Sequence, residues 1–148
     1  MDESKLSNNH REVEKRFQPG MRIGQAVEKA GKSKSDVIIV HAATNNVATS
    51  TPEKLCKETV GILKQIQMNN PTAKVVFSSL FRRKDNMGLN NKVKKVNELL
   101  ADELALNGLD MIDNSNIMFS NLWDDGLHIN DGGIRKFSGN ISSFIKYC

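Results

Sequence analysis

The run Val37-Ile38-Ile39-Val40, between Asp36 and His41, is the sequence feature that most constrains the fold. Continuous β-branched residues are typical of a strand that is buried on both faces of a parallel sheet. Similar segments recur at residues 74–79 and 109–113, and residues 12–17 form a shorter candidate strand. We therefore predict a parallel sheet of about four strands.

Helix-like segments alternate with these strands. Residues 23–30 carry apolar side chains on one face and stop at Gly31, and Thr51-Pro52 marks the start of a helix that ends at residues 69–71. Two further amphipathic segments cover residues 89–104 and 132–147. This alternation predicts right-handed crossovers and a three-layer α/β/α arrangement. Sites in such folds lie beyond the carboxyl ends of the strands, so the loops 41–50, 80–88 and 113–131 should meet at one edge.

Size and composition indicate a single ordinary domain over residues 1–148. We recognise neither a membrane-spanning run nor a secretory signal, so we expect an intracellular protein without a membrane partner. The net charge is +4, but the basic residues are dispersed. Their tightest groups, at 82–84 and 92–95, favour a solvated surface, with a nucleic-acid contact as the alternative. Cys56 and Cys148 fit neither a disulfide framework nor a metal site, and we expect free thiols.

The loop 124–132 contains the densest set of reactive side chains. His128 follows Asp125 by three positions, just before the last helix. A serine hydrolase needs an imidazole to accept the hydroxyl proton and a carboxylate to orient that imidazole, and a D-x-x-H turn supplies both. The alternative is structural, with Asp125 capping a turn and His128 partly buried and hydrogen-bonded.

Polar residues also follow the first buried strand, in the segment His41-Ala42-Ala43-Thr44-Asn45-Asn46. Side-chain amides at this edge can donate to an oxyanion, although asparagine also serves turns, and the segment alone favours the turn. We expect His41 to be a hydrogen-bonded residue at the strand end. Pro19-Gly20 is a common turn whose glycine N–H also suits an oxyanion donor.

Taken in order, these segments resemble the SGNH (GDSL-like) hydrolases over nearly the whole chain, and most closely the esterase-like domains of some animal retroelement proteins. Gly20 falls at that family's block-two glycine, residues 43–46 at its G-x-N-D block, and residues 125–130 at its D-x-x-H block, which is the most specific match. The resemblance implies a flavodoxin-like fold and four site residues, namely His128 as general base, Asp125 as its orienting partner, and Asn45 and Gly20 as oxyanion donors.

The sequence departs from that family at the nucleophile, because it contains no Gly-Asp-Ser block. The resemblance therefore implies an N-terminally truncated domain without its first strand. Ser4 and Ser7 lack a preceding apolar strand, and Ser78 and Ser79 are better interpreted as strand-end residues. Ala43 and Asn46 stand where the family has glycine and aspartate. We predict little or no esterase activity for the chain alone, and marginal stability because the missing strand leaves sheet edges unpaired.

Two functional alternatives stay open at this point. The chain is an active carboxylic-ester hydrolase if an upstream segment supplies Gly-Asp-Ser, or it is a non-catalytic module that binds an acylated, glycan or nucleic-acid ligand. Arg82 and Arg83 are candidates for contacting an anionic substrate, although solvent exposure is the simpler interpretation. No metal cluster, phosphate loop or nucleotide fingerprint is recognisable, so we expect a small acyl-ester substrate and no cofactor.

Overall fold

The computed structural model describes residues 22–32 and 35–148. The predicted strand at residues 12–17 and the candidate residues Ser4, Ser7 and Gly20 lie outside the described residues. The described part forms a parallel sheet with helices on both faces, which confirms the predicted three-layer α/β fold.

Three parallel strands form the described sheet, in the order β1 (Val37–Val40), β2 (Lys74–Ser78) and β3 (Asp110–Ile112). Ile38 pairs with Val75, and Phe77 pairs with Met111. All three strands lie within the segments predicted from the sequence. Because they run in the same direction, the loops that follow them leave from one edge of the sheet.

Within the described residues, four α-helices cover the sheet: α1 (Ala26–Ala30), α2 (Pro52–Asn69), α3 (Met87–Leu106) and α4 (Asp131–Lys146). The start of α2 is the predicted one, because Thr51 Oγ1 accepts a hydrogen bond from Lys54 N at 3.2 Å. A 3₁₀ helix (Ile23–Gln25) precedes α1, and Gly31 ends α1 with a φ of 51°. None of the helices in residues 22–32 and 35–148 is long and apolar enough to cross a membrane.

Alternating side chains of β2 divide the core into two apolar clusters. Val75 and Phe77 pack with buried residues of α1, α2 and α3 on one face. Val76 packs on the other face against α4, through Phe137, Ile141 and Ile145. This alternation follows from the two-residue period of a strand and holds both helical layers against the sheet.

Strand β1 is less buried than its sequence predicts. Only Val40 is buried, whereas Val37, Ile38 and Ile39 are partly exposed. The physical reason is position, since β1 is an edge strand of the described sheet and no other described strand pairs with its outer side. The strand buried on both faces is the central β2, of which only Lys74 is exposed.

Cys56 is a free thiol, as expected. Cys56 is buried on α2, and burial raises the pKa of its thiol. Cys148 is exposed at the C-terminus.

Candidate active site

The segment that carries Asp125 and His128 is a tight hairpin-like turn. Leu122 and Ile129 form an antiparallel bridge, and Trp123 N donates to His128 O at 2.8 Å. Gly126 N donates to Trp123 O at 2.9 Å and closes the turn. These backbone bonds fix where the side chains of Asp125 and His128 emerge.

Backbone contacts attach this turn to the loop that follows β2. Gly126 O accepts hydrogen bonds from Lys84 N at 2.6 Å and from Asp85 N at 3.2 Å. Gly126 has a φ of 70°, and a Cβ on it would lie 2.8 Å from Asp85 N. Only glycine satisfies both the left-handed conformation and the close approach. The family-like Asp-Gly-Leu-His stretch therefore has a structural requirement for its glycine.

The carboxylate of Asp125 contacts the imidazole of His128. Its Oδ2 lies 2.6 Å from His128 Nδ1, and its Oδ1 accepts from the backbone N–H groups of Leu127 at 2.9 Å and His128 at 3.0 Å. The hydrogen bond to the His128 ring and these two backbone bonds lower the pKa of Asp125 to about 2. An ionised carboxylate can only accept, so in the neutral form of the imidazole Nδ1 carries the proton and Nε2 has the lone pair.

The imidazole of His128 is open to reactants. Its side chain is 75% exposed, and Nε2 makes no hydrogen bond with another residue of the described part. Asp125 also caps its own turn, so the structural alternative is correct for Asp125. For His128 it is correct that the ring is hydrogen-bonded, through Nδ1, but wrong that the side chain is partly buried, because that side chain is 75% exposed. The arrangement can accept a proton from a hydroxyl and stabilise the resulting imidazolium.

Residues 43–46 lie at the same edge of the sheet, after β1. Asn45 is exposed in a 3₁₀ helix (Thr44–Asn46), and its side-chain amide makes no hydrogen bond within residues 22–32 and 35–148. Asn46 is buried and structural, since its Oδ1 accepts from Ile23 N at 3.0 Å. The Asn45 amide is thus available to a ligand, and Asn46 ties the loop to the segment that precedes α1.

Ala43 adopts a conformation that favours glycine. Its φ is 86° and its side chain is fully buried. This positive φ explains why a glycine would suit the position. Alanine in the same conformation destabilises the backbone by about 1–2 kcal/mol. Lys92 on α3 stabilises the same loop, because its Nζ donates to Val47 O at 3.2 Å and to Ser50 O at 3.3 Å.

Ser78 and Ser79 are buried at the end of β2, so neither hydroxyl meets a substrate. Ser78 Oγ lies 3.0 Å from His41 Nδ1 and accepts from Asn114 Nδ2 at 2.8 Å. Burial lowers the pKa of His41 to about 4, and its ring packs against those of Phe81 and Phe137, which also contact each other. His41 is the hydrogen-bonded strand-end residue that was predicted, and its pairing with Ser78 is structural.

Arg82 and Arg83 both make internal bonds. Arg82 Nη2 donates to Ser115 O at 2.8 Å, and its guanidinium lies 5.5 Å from the ring centroid of Phe119. Arg83 forms a two-bond ion pair with Asp85, and its side chain is only 11% exposed. The interpretation as solvent-exposed is wrong for Arg83, which is paired with Asp85 in its own loop, whereas Arg82 is partly exposed and reaches the loop that contains Ser115. Among the described residues, no group of three acidic, His or Cys side chains could hold a metal ion.

The fold is similar to those of several esterase-type hydrolases of known structure. A member of the lipolytic G-D-S-L family from Veillonella parvula matches with a TM-score of 0.74 at 16% identity, covering 87% of this chain and 77% of that one. A carbohydrate esterase family 3 from Talaromyces cellulolyticus gives 0.74 at 18% identity, covering 86% and 68%. A lipase/acylhydrolase from Enterococcus faecalis gives 0.70 at 17% identity, covering 86% and 72%.

No family model matches the sequence, and no curated protein is significantly similar to it. At these identities the structural likeness establishes the fold alone. The chain therefore has a three-layer α/β fold like that of the SGNH hydrolases.

Sequence reasoning missed the buried amide of Asn114. Its Nδ2 donates to Ser78 Oγ and Ser79 O, both at 2.8 Å, and its Oδ1 accepts from Asn140 Nδ2 at 3.0 Å. The available signal was a polar residue soon after β3, at the edge where the strand-end serines lie. Nothing in the sequence indicated that its partner would be Asn140 on α4.

Proposed function

We propose that this chain carries the base and orienting half of a carboxylic-ester hydrolase site. The observation that carries the proposal is the 2.6 Å contact between Asp125 Oδ2 and His128 Nδ1, together with an exposed imidazole. In this role, Nε2 of His128 accepts the proton of an attacking hydroxyl and later returns it to the leaving alcohol. Asp125 stabilises the imidazolium, and the free amide of Asn45 donates to the oxyanion.

The nucleophile is the part that the described residues do not offer. Both buried serines at the end of β2 are held in the core, and the sequence contains no Gly-Asp-Ser. We therefore expect the chain by itself to show little or no ester hydrolysis, and expect activity if an upstream segment supplies that block. The kinship with retroelement-associated esterase-like domains stays a prediction, supported by the sequence resemblance alone.

Two measurements test the proposal. Nitrogen NMR of the His128 ring should show the proton on Nδ1 in the neutral form, and Asp125→Asn should change that tautomer preference. A pH-stat assay with a short alkyl ester should show no turnover above buffer for the purified chain. A His128 that prefers the Nε2–H tautomer contradicts its role as base. Robust hydrolysis that is lost in His128→Ala contradicts the expected inactivity.

A further inference from the structure

Trp123 stands beside His128 because of the backbone pairing of the turn. Leu122 and Ile129 form the antiparallel bridge, so the next pair inward along the two segments is Trp123 and His128. The hydrogen bond from Trp123 N to His128 O, at 2.8 Å, confirms that register. Directly opposed residues in an antiparallel pair project from the same face, with Cβ atoms about 5 Å apart.

The two faces of this short ladder differ sharply in burial. Leu122 is 8% exposed, and Ile129 packs against the cluster beneath α4. On the opposite face, Trp123 is 54% exposed and the His128 side chain is 75% exposed. The Trp123 indole makes no ring contact or hydrogen bond with another residue of the described part. A large flat apolar surface therefore lies next to the open imidazole, without a partner of its own.

The turn fixes the backbone from which this side chain projects before any ligand arrives. The main chain of Trp123 is bonded on both sides, by its N–H to His128 O and by its carbonyl, which accepts from Gly126 N at 2.9 Å. Tryptophan has only two side-chain torsions, so it presents its area at a low entropic cost. These are the properties of an aromatic platform that contributes to binding.

The chemistry of the neighbouring base indicates which part of an ester would lie there. A general base that returns its proton to the leaving group must have the alcohol oxygen within reach of Nε2. We propose that Trp123 is a specificity-determining residue that binds the alcohol portion of an ester when that portion carries a ring with an apolar face. This rests on the proposed function for its orientation, since His128 must be the base that faces the alcohol.

Binding to the nitrogen-15-labelled chain tests the proposal without requiring turnover. Trp123 is the single tryptophan, so one indole N–H resonance reports on it. Three acetyl esters are titrated: benzyl acetate, with an aromatic ring; methyl 6-O-acetyl-glucoside, with a sugar ring; and methyl acetate, with none. At least one ring ester should shift the indole resonance to saturation and bind about tenfold more tightly than methyl acetate. The ester that binds identifies the kind of ring.

The variant Trp123→Ala should weaken that ring ester about tenfold, measured on the His128 amide resonance. Tyr147→Ala is the matched control, because Tyr147 is also exposed, at 82%, but lies at the end of α4. Equal affinity of Trp123→Ala and the unaltered chain overturns the proposal, as does a ring ester no tighter than methyl acetate. If the ring ester binds as expected while His128 prefers the wrong tautomer, the proposed base fails and the Trp123 binding surface stands.

Discussion

Two histidines at the same edge of the sheet have opposite environments. His41 directly follows β1, packs against two phenylalanine rings, and shares a partly buried hydrogen bond with Ser78. His128 lies on an exposed turn, and its one side-chain partner is the carboxylate of Asp125. Each pairs through Nδ1, yet burial lowers the pKa of His41 to about 4, whereas the partner of His128 is itself an ionised acid.

The difference shows how a structural histidine can be distinguished from one that is accessible to a reactant. A serine next to a histidine looks like a nucleophile and its base, but the Ser78 hydroxyl is fully buried and also bonded to Asn114. An exposed Asp–His pair contributes little to stability because water competes for both groups. The buried site should therefore respond to substitution through stability, and the exposed site through chemistry.

The largest expected effect is a loss of stability when the buried hydrogen bonds of Asn114 are removed. Asn114→Ala should destabilise the fold by about 3–4 kcal/mol, because Ser79 O and Ser78 Oγ each lose a buried donor. Urea unfolding measures the change. Asn116→Ala is the matched control, since Asn116 bonds to the same Asn140 from an exposed position. Equal losses in the two variants would contradict the importance of the buried network.

The next effect concerns the backbone that holds the exposed pair. Gly126→Ala should cost about 2–3 kcal/mol, because it combines left-handed strain with a collision against the backbone of Lys84 and Asp85. Gly108→Ala isolates the strain alone, at about 1 kcal/mol, because Gly108 has a φ of 66° and open space around its Cβ position. If Gly126→Ala and Gly108→Ala lowered the free energy of unfolding equally, the collision with the backbone of Lys84 and Asp85 would make no contribution.

The pH dependence of stability should report on His41. Its folded pKa of about 4 lies below its ordinary value of 6.5, so the unfolded chain binds more protons between those values. Stability from this group is therefore complete above pH 6.5 and is lost as the pH falls toward 4, by about 2 kcal/mol between pH 7 and pH 5. Urea midpoints across that range measure it. The loss should persist in His128→Gln and disappear in His41→Gln.

The smallest expected effect on stability comes from substituting the exposed His128. His128→Ala should change the free energy of unfolding by less than about 0.5 kcal/mol, because the side chain is 75% exposed and leaves no cavity. Thermal and urea unfolding of the two proteins measure it. A loss comparable to that of Asn114→Ala would show that His128 is also a structural residue.

The main elements of the fold could be predicted from the sequence, because hydrophobic periodicity and helix-capping residues are local signals. Thr51-Pro52 starts α2 as expected, and the strands fall where β-branched runs occur. The Asp125–His128 pair was also predictable, since both residues belong to one turn. The exposure of β1 was not, because a side chain's burial depends on which strands lie beside it.

Contacts between distant segments explain the remaining misses. Arg82, after β2, was expected to face only solvent, but its guanidinium reaches Ser115 O in a loop 33 positions along the chain. No local pattern encodes which carbonyl a guanidinium will reach. The same holds for Asn114, whose partners come from β2 and α4.

The backbone contact at Gly126 makes two loops a single unit for protein engineering. The N–H groups of Lys84 and Asp85 bond to Gly126 O, although they belong to the connection between β2 and α3. An insertion or deletion in that connection would therefore change the register of a segment far along the chain and displace His128. Loop grafts at this edge of the sheet would have to exchange both segments together, with their lengths preserved.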